Sequence, residues 1–370
     1  MKVLYLLDSL NRGGAETLCL DVCRNIRADH FDLIFATMGD GALAGEFENS
    51  GVEFIRLKRR LPIDFAVIKN LKKLVKERQI NVVHTHQAVE AVHAYLACRQ
   101  TDTKIVLTHH GFVADKKNLF ALKFLIPRVA ANIIVSRALL DWYETEIKLK
   151  FPDRRTRILY NGVDEKRLAP RGGNIKKEFG LRDDDLLFGM IANFYRDPRK
   201  DQMTVCRALP QIFAEIENAH CVFVGGIEAG AEEKFNACRR FCEENGISDR
   251  VYFTGGRSDV PDILAALDLF ILSSLQEGLP IAVNEAMLAR VPLIVSDIEP
   301  LLEASENGQY AEIFQTRNAS ELAKKIVELL KNKDARLDLS NRAYDYAREN
   351  FSIEAHLENL KNLYRSLLKK

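Results

Sequence analysis

The chain has 370 residues, 47% hydrophobic and 28% charged, with 53 Lys and Arg against 52 Asp and Glu and a formal net charge of +1. So even a balance excludes the basic surplus of a nucleic-acid binder, and so long a chain exceeds one comfortable core, which makes two domains the leading organisation. Residues 1–165 hold 25 Lys and Arg against 20 Asp and Glu and the remainder 28 against 32, a mild basic bias in the first half.

The opening MKVLYLLDSL is apolar only from Val3 to Leu7 before Asp8, too short for a secretion signal, and reads as a buried strand. Further strands are expected in FDLIFATM, VEFIRL, NVVHTH, KIVLTHH, NIIVS and RILYNG, then in LLFGMIAN, CVFVGG, VYFTG, LFILSS and PLIVS. Runs apolar on both faces and separated by helical stretches are what a parallel sheet covered on both sides requires. Between the two sets, NGVDEKRLAPRGGNIKKEFGLRDDD is rich in Gly, Pro and charge and places the boundary near residues 164–180. From about Ser320 the spacing is helical. No apolar stretch approaches the roughly 20 residues a membrane-spanning helix needs. The seven cysteines (Cys19, Cys23, Cys98, Cys206, Cys221, Cys238, Cys242) lie in apolar patterns and read as reduced thiols rather than a zinc site, which points to the cytoplasm.

The expected fold class is therefore α/β, with two Rossmann-like doubly wound domains. Such sheets bind ligands at the carboxyl ends of their strands, here expected in a central cleft that the two domains face. In the first, DSLNRGGAE puts Gly13 and Gly14 before a helix starting near Ala15, so that the backbone and the helix start can approach a phosphate, or so that the turn simply packs. In the second, LQEGLPIAVNEAML follows a strand, and its helix is expected from Pro280. The N–H groups near Gly278 and Leu279 would then point at an anion. Glu277 and Glu285 suit hydroxyl groups of sugars and ribose, since ionised carboxylates only accept hydrogen bonds. IANFYRDPRKD supplies Arg196, Arg199 and Lys200 at the same end of that sheet, where a phosphate would need them. His84 and His86 end one strand, and His109 and His110 the next. Polar contact with a ligand, through His110 before Gly111, is the better reading than a metal site.

The motifs GGAE, VHTH, THHG, VS, YNGVD, RDPRKD, EGLPIAVNE and VSD, in that order over roughly residues 1–350, resemble the retaining glycosyltransferases of family 4, of GT-B fold. The resemblance implies transfer of a sugar from a nucleotide diphosphate sugar, UDP- or GDP-linked, to an acceptor hydroxyl, with no metal and no other cofactor. It implies residues 1–165 as the acceptor-side domain, 166–350 as the donor domain, and a helix after Phe351 that returns to the first domain. By the same resemblance Glu277 meets donor-sugar hydroxyls and Glu285 the ribose, while Lys200 with Arg196 neutralises the diphosphate. Gly13 and Gly14 approach that diphosphate, His110 meets the donor sugar, Asn193, Gly278 and Leu279 join the donor site, and Glu16 and His86 lie on the acceptor side. Ala192-Asn193 departs from the family's Gly-Arg wording, so the arginine's role stays open between Arg196 and Arg199. A helix N-terminus and fixed cations aimed at the leaving diphosphate can do a metal's work. Asp183 to Asp185 is read as a solvated loop rather than a metal motif.

KKNLFALKFLIPR, Lys116 to Arg128, is either a core helix or a basic amphipathic helix at an anionic membrane. In the latter case the acceptor is a lipid-linked glycan at the inner face of the membrane. Two rival functions share the architecture or the ligand: a nucleotide-sugar epimerase, and a non-catalytic sugar-binding module.

Overall fold

The computed structural model describes residues 1–11, 13–113 and 115–369. The chain divides into two compact units, Met1–Asp164 with Asn350–Lys370, and Glu165–Glu349. Unit 1 alternates β1 (Lys2–Leu7), α1 (Gly14–Asn25), β2 (Asp32–Thr37), α2 (Ala44–Glu48), β3 (Glu53–Arg56), α3 (Phe65–Glu77), β4 (Val82–Thr85), α4 (Ala88–Cys98), β5 (Lys104–His109), α5 (Lys116–Leu125), β6 (Ala131–Ile134), α6 (Arg137–Thr145) and β7 (Thr156–Ile158). Unit 2 follows with α7 (Ile175–Glu178), β8 (Leu186–Ile191), α8 (Gln202–Glu215), β9 (Ala219–Val224), α9 (Glu232–Glu244), β10 (Val251–Phe253), α10 (Val260–Ala266), β11 (Leu269–Leu272), α11 (Ile281–Leu288), β12 (Leu293–Ser296), α12 (Glu299–Ala304), β13 (Glu312–Phe314), α13 (Ala319–Lys331) and α14 (Lys333–Asn350). The final helix α15 (Ile353–Leu368) belongs to unit 1.

Both sheets are wholly parallel, as the doubly apolar strands require: the order is β3-β2-β1-β4-β5-β6-β7 in unit 1 and β10-β9-β8-β11-β12-β13 in unit 2. Each order reverses once, between β1 and β4 and between β8 and β11, and in a doubly wound sheet that reversal opens a crevice at the strands' carboxyl ends. Val3, Tyr5 and Leu7 of β1 share one core with Ile353, Leu357, Leu360 and Tyr364 of α15. Each such side chain contributes about 1.5–3 kcal/mol on burial, which anchors the last helix to unit 1.

Local structure departs from the sequence reading in four places. β13 escaped it, because Glu312-Ile313-Phe314 begins with a charge and runs straight into the polar Gln315-Thr316-Arg317, leaving no apolar run to read. The helix expected from Pro280 starts at Ile281, with Pro280 as its N-cap, whereas the one expected near Ala15 does start there, at Gly14. Asp185 is buried rather than solvated, because its carboxylate accepts from the backbone N–H and guanidinium of Arg182. In α5, Leu122 and Leu125 are buried whereas Phe120 is 78% and Phe124 41% exposed, so the helix is core on one side and apolar surface on the other. All seven cysteines are buried free thiols.

Candidate functional site

In unit 2 the loops that leave β8 and β11 are zipped together across the switch point. The Asp201 N–H donates to the Ser273 carbonyl (3.0 Å) and the Leu275 N–H to the Arg199 carbonyl (2.8 Å), and Lys200 and Ser274 form an antiparallel bridge. That backbone zipper brings Lys200 Nζ into an ion pair with Glu277, whose Oε1 also accepts from Ser274 Oγ at 2.6 Å. Both side chains are about a tenth exposed, so each ion depends on the other to offset its lost hydration. An ammonium carries three donors and a carboxylate two oxygens, so the pair keeps two N–H groups and Oε2 for a ligand.

The other donor-site residues are placed as follows. Glu285, one turn into α11, accepts from the Arg167 guanidinium at 2.8 Å, a partner the sequence did not reveal. Arg199 is neutralised by Asp197 (2.8 and 2.9 Å) and lies over the Tyr195 ring, whereas the Arg196 side chain is exposed and forms no ion pair among the described residues. Asn193 is committed to the loop, since its Oδ1 accepts from the Gly226 N–H (2.8 Å) and its carbonyl from Gln202 Nε2 (3.1 Å). Leu279 is buried, and Pro280, the N-cap of α11, gives that helix no side-chain cap, so the dipole at its start favours an anion. A cavity of about 340 Å³ adjoins Lys200, and Arg207, Lys234 and Arg317 also line it. Lys234 holds the loop after β8 by donating to the carbonyls of Tyr195 (3.0 Å) and Asp197 (2.6 Å).

In unit 1 the switch point combines imidazoles with an ion pair of its own, Asp8 just past β1 with Arg59 (2.6 and 2.7 Å). Glu90 stitches it, accepting from the backbone N–H groups of Asp8 (2.7 Å), His86 (2.7 Å) and Gln87 (2.6 Å). Burial pushes its carboxyl up to about 8, against the pull of those three donors. His84 bonds Tyr364 Oη (2.5 Å) and Thr108 Oγ1 (2.6 Å) and stacks on His86, whose Nδ1 is 3.0 Å from His110 Nε2 and whose Nε2 is 3.4 Å from Cys19 Sγ. His109 turns away to Asn132 (3.2 Å). Burial holds His84 and His86 well below the ordinary imidazole value, His109 near 4 and His110 near 3. All four are therefore neutral at pH 7. His110 lines a cavity of about 240 Å³ with Gly111, Asn118 and Tyr143.

Two further expected residues of unit 1 are placed as follows. His86, expected on the acceptor side, is buried, bonds His110 and lines the same cavity. At the start of α1, where a phosphate was expected to meet Gly13 and Gly14, the carboxylate of Glu16 already sits: a Cβ added at Gly13 would lie 2.6 Å from Glu16 Oε2. Burial raises that carboxyl's pKa, opposed by Glu16's own backbone N–H. Among the described residues no group of three His, Cys, Asp or Glu could hold a metal ion, and no helix is long and apolar enough to cross a membrane.

Comparison with known proteins gives these geometries a family. Residues 12–167 match the Glycosyltransferase Family 4 model and residues 173–346 the Glycosyl transferases group 1 model. The chain is 26% identical over 317 residues to N-acetyl-alpha-D-glucosaminyl L-malate synthase of Bacillus anthracis, covering 83% of this chain and 80% of that protein. It is 24% identical over 367 residues to the UDP-Gal:alpha-D-GlcNAc-diphosphoundecaprenol alpha-1,3-galactosyltransferase of Escherichia coli, covering 95% and 93%. Among solved structures, Anabaena HepE in complex with UDP superposes with a TM-score of 0.85 at 19% identity, over 99% of this chain and 100% of that one. A glycosyltransferase from Rickettsia africae gives 0.84 at 18% identity, over 100% and 99%. With two parallel Rossmann-like sheets of the GT-B kind and family models that match on either side of residue 170, the chain belongs to the family 4, group 1 glycosyltransferases.

Proposed function

We propose that this glycosyltransferase takes a sugar from a UDP-sugar and passes it, with anomeric configuration retained, to a hydroxyl of a polysaccharide or lipid-linked glycan acceptor. The observation that carries the reading is the Lys200–Glu277 pair held at the switch point of unit 2. Breaking a glycosyl–phosphate bond builds negative charge on the leaving diphosphate, and preorganised donors aimed there lower the barrier. The spare N–H groups of Lys200, the Arg196 guanidinium and the start of α11 supply them, which is why the reading needs no metal or other cofactor. Glu277 Oε2 accepts from donor-sugar hydroxyls, and Glu285, oriented by Arg167, from the ribose. His110 meets the sugar from unit 1, and Gly13 and Gly14 reach the phosphates once the Glu16 side chain swings aside. Residues 1–165 then serve the acceptor and 166–350 the donor.

UDP is favoured over GDP by the UDP bound to HepE and the UDP-Gal named for the Escherichia coli relative. That relative's name also carries a diphosphoundecaprenol acceptor, which supports a lipid-linked acceptor here. Exposed Phe65 and Phe120, with Lys116, Lys117 and Lys123 beside the latter, suit unit 1 to the inner, anionic face of a membrane.

A thermal-shift series with UDP, GDP and UDP-hexoses, followed by NMR of the product's anomeric proton, tests the reading. UDP is expected to raise the midpoint, Lys200→Ala to abolish that rise, and EDTA to leave turnover unchanged. Epimerised donor in the absence of acceptor would make the protein an epimerase instead, and a shift with free sugars but not with UDP would make it a binding module.

A further inference from the structure

We propose that Cys19 and His86 are positioning residues that fix the tautomer of His110, so that His110 presents Nδ1–H as a donor to a sugar hydroxyl in the cavity beside it. The ligand in that sentence rests on the glycosyl-transfer reading; the tautomer does not.

A neutral imidazole has one donor nitrogen and one acceptor nitrogen, and the partner of one decides the role of the other. Here two imidazoles and a thiol run in series: Cys19 Sγ to His86 Nε2 at 3.4 Å, then His86 Nδ1 to His110 Nε2 at 3.0 Å. The series ends at His110 Nδ1, which is buried and has no partner among the described residues. Only two polarities are self-consistent. In one the thiol donates to His86, His86 donates to His110, and the proton of His110 sits on Nδ1. In the other every bond reverses, and His110 Nδ1 is a bare acceptor.

The thiol selects the first. Burial among Cys23, Glu90, Glu16 and Asp21 keeps Cys19 protonated, so it has a hydrogen to give. An imidazole lone pair is a good acceptor, whereas thiol sulfur is a poor one, so the reverse polarity would turn an N–H toward sulfur. The His86 ring is held in this arrangement: one face stacks on His84 (ring centroids 4.4 Å apart), Tyr5 packs at 5.1 Å, and its edge meets that of His110 through the 3.0 Å contact. Its backbone N–H is tied to Glu90, itself buried in α4.

An unpaired buried N–H is costly, so a group that enters the cavity and accepts from Nδ1 recovers the loss. The carbonyl of the adjoining Gly111 does not compete, because it already accepts from Tyr143 Oη at 2.8 Å. A sugar hydroxyl suits this donor in chemistry, since its oxygen accepts while its proton remains free for a second contact.

The test is long-range proton–nitrogen correlation NMR on the full chain labelled with nitrogen-15 histidine, without ligand. The wild type is expected to show His110 as the Nδ1–H tautomer. Cys19→Ala should release it to a mixture and Cys19→Ser, whose hydroxyl can donate, should restore it. In turnover with UDP-sugar and acceptor, Cys19→Ala should lower kcat about tenfold with KM within about twofold, the loss of one hydrogen bond strengthened in the transition state, and Cys19→Ser should recover it. An Nε2–H tautomer in the wild type overturns the proposal whatever the variants do, as does a tautomer unmoved in Cys19→Ala. If the tautomers behave as expected while no UDP-sugar is turned over, the positioning stands and the glycosyl-transfer reading falls.

Discussion

The two sheets share one winding but fill their switch points differently. Unit 2 holds an ion pair there, between loops zipped by backbone hydrogen bonds, and Arg196 exposed beside it. Unit 1 holds neutral imidazoles and the buried carboxyls of Glu90 and Glu16, with the Asp8–Arg59 ion pair beside them. Topology thus fixes where each sheet opens, and desolvation fixes what the side chains there offer: in unit 1 a cluster of neutral donors and acceptors, in unit 2 a cation and a carboxylate tied to each other.

The comparison breaks most sharply at Lys200. If unit 2 supplies the charge stabilisation, Lys200→Ala should lower kcat by about 10²–10³-fold, the usual cost of removing one preorganised donor. Steady-state kinetics on a variant whose circular dichroism matches the wild type would show it. A rate within threefold of wild type would mean that the pair only holds the loops together.

In unit 1 the corresponding keystone is structural. Glu90→Ala leaves the N–H groups of Asp8, His86 and Gln87 without their acceptor, and at about 1–3 kcal/mol for each unsatisfied donor a loss of about 3 kcal/mol is a conservative expectation. Urea unfolding would measure it as a lower midpoint at unchanged slope. An unchanged midpoint would show that water replaces the carboxylate and that this switch point is wetter than its burial implies.

Acid should separate the units next. His84, His86, His109, His110 and His356 all hold pKa values lowered by burial, the last near 4, so the unfolded chain takes up protons that the folded one refuses. Their stabilisation is full above about pH 6.5 and drains as pH falls toward 4, at up to about 1.4 kcal/mol per pH unit for each. Glu90 and Glu16 have the opposite sign, since a raised carboxyl pKa contributes stability below its unfolded value that is lost as pH rises, for Glu90 toward about 8. Five groups outweigh two in the window from pH 6.5 to 5. Hydrogen exchange there should lose protection in unit 1 well before unit 2, where His220 alone shows such a lowering. Equal loss in both units would contradict the neutral-site account.

Much of this arrangement was legible in the sequence, for identifiable reasons. Doubly apolar strands announced parallel sheets, and loops rich in charge and glycine marked the carboxyl ends. Lys200 and Glu277 were readable because each lies a few residues past a strand, so local chain direction alone puts them at one end of the sheet. Arg167 was not: it meets Glu285 across 118 residues, from a segment that reads as a linker. Cys19 and Tyr364 were hidden likewise, because a cysteine and a tyrosine on apolar helix faces look like core until tertiary packing brings them to a histidine. Glu90 carried a signal that was passed over. It lies three residues beyond Gln87, the N-cap of α4, the spacing at which a glutamate reaches back to the helix start.

The smallest expected effect concerns the choice the sequence left open between Arg196 and Arg199. Arg199 is bound to Asp197 through two nitrogens and covers Tyr195, so its charge is already answered within its own loop. Removing it should alter UDP affinity by no more than about twofold, the scale of an exposed ion pair. Among the described residues Arg196 has only its backbone N–H engaged, by Glu228, and its exposed guanidinium forms no ion pair. Arg196→Ala should therefore weaken UDP about tenfold by calorimetric titration, in line with one lost charged hydrogen bond, and the loss should shrink as salt is raised because the side chain is exposed. If Arg199→Ala proves the more damaging, the Asp197 pair must open when nucleotide binds, and unit 2 would meet its ligand by exchanging ion pairs rather than with charges held free.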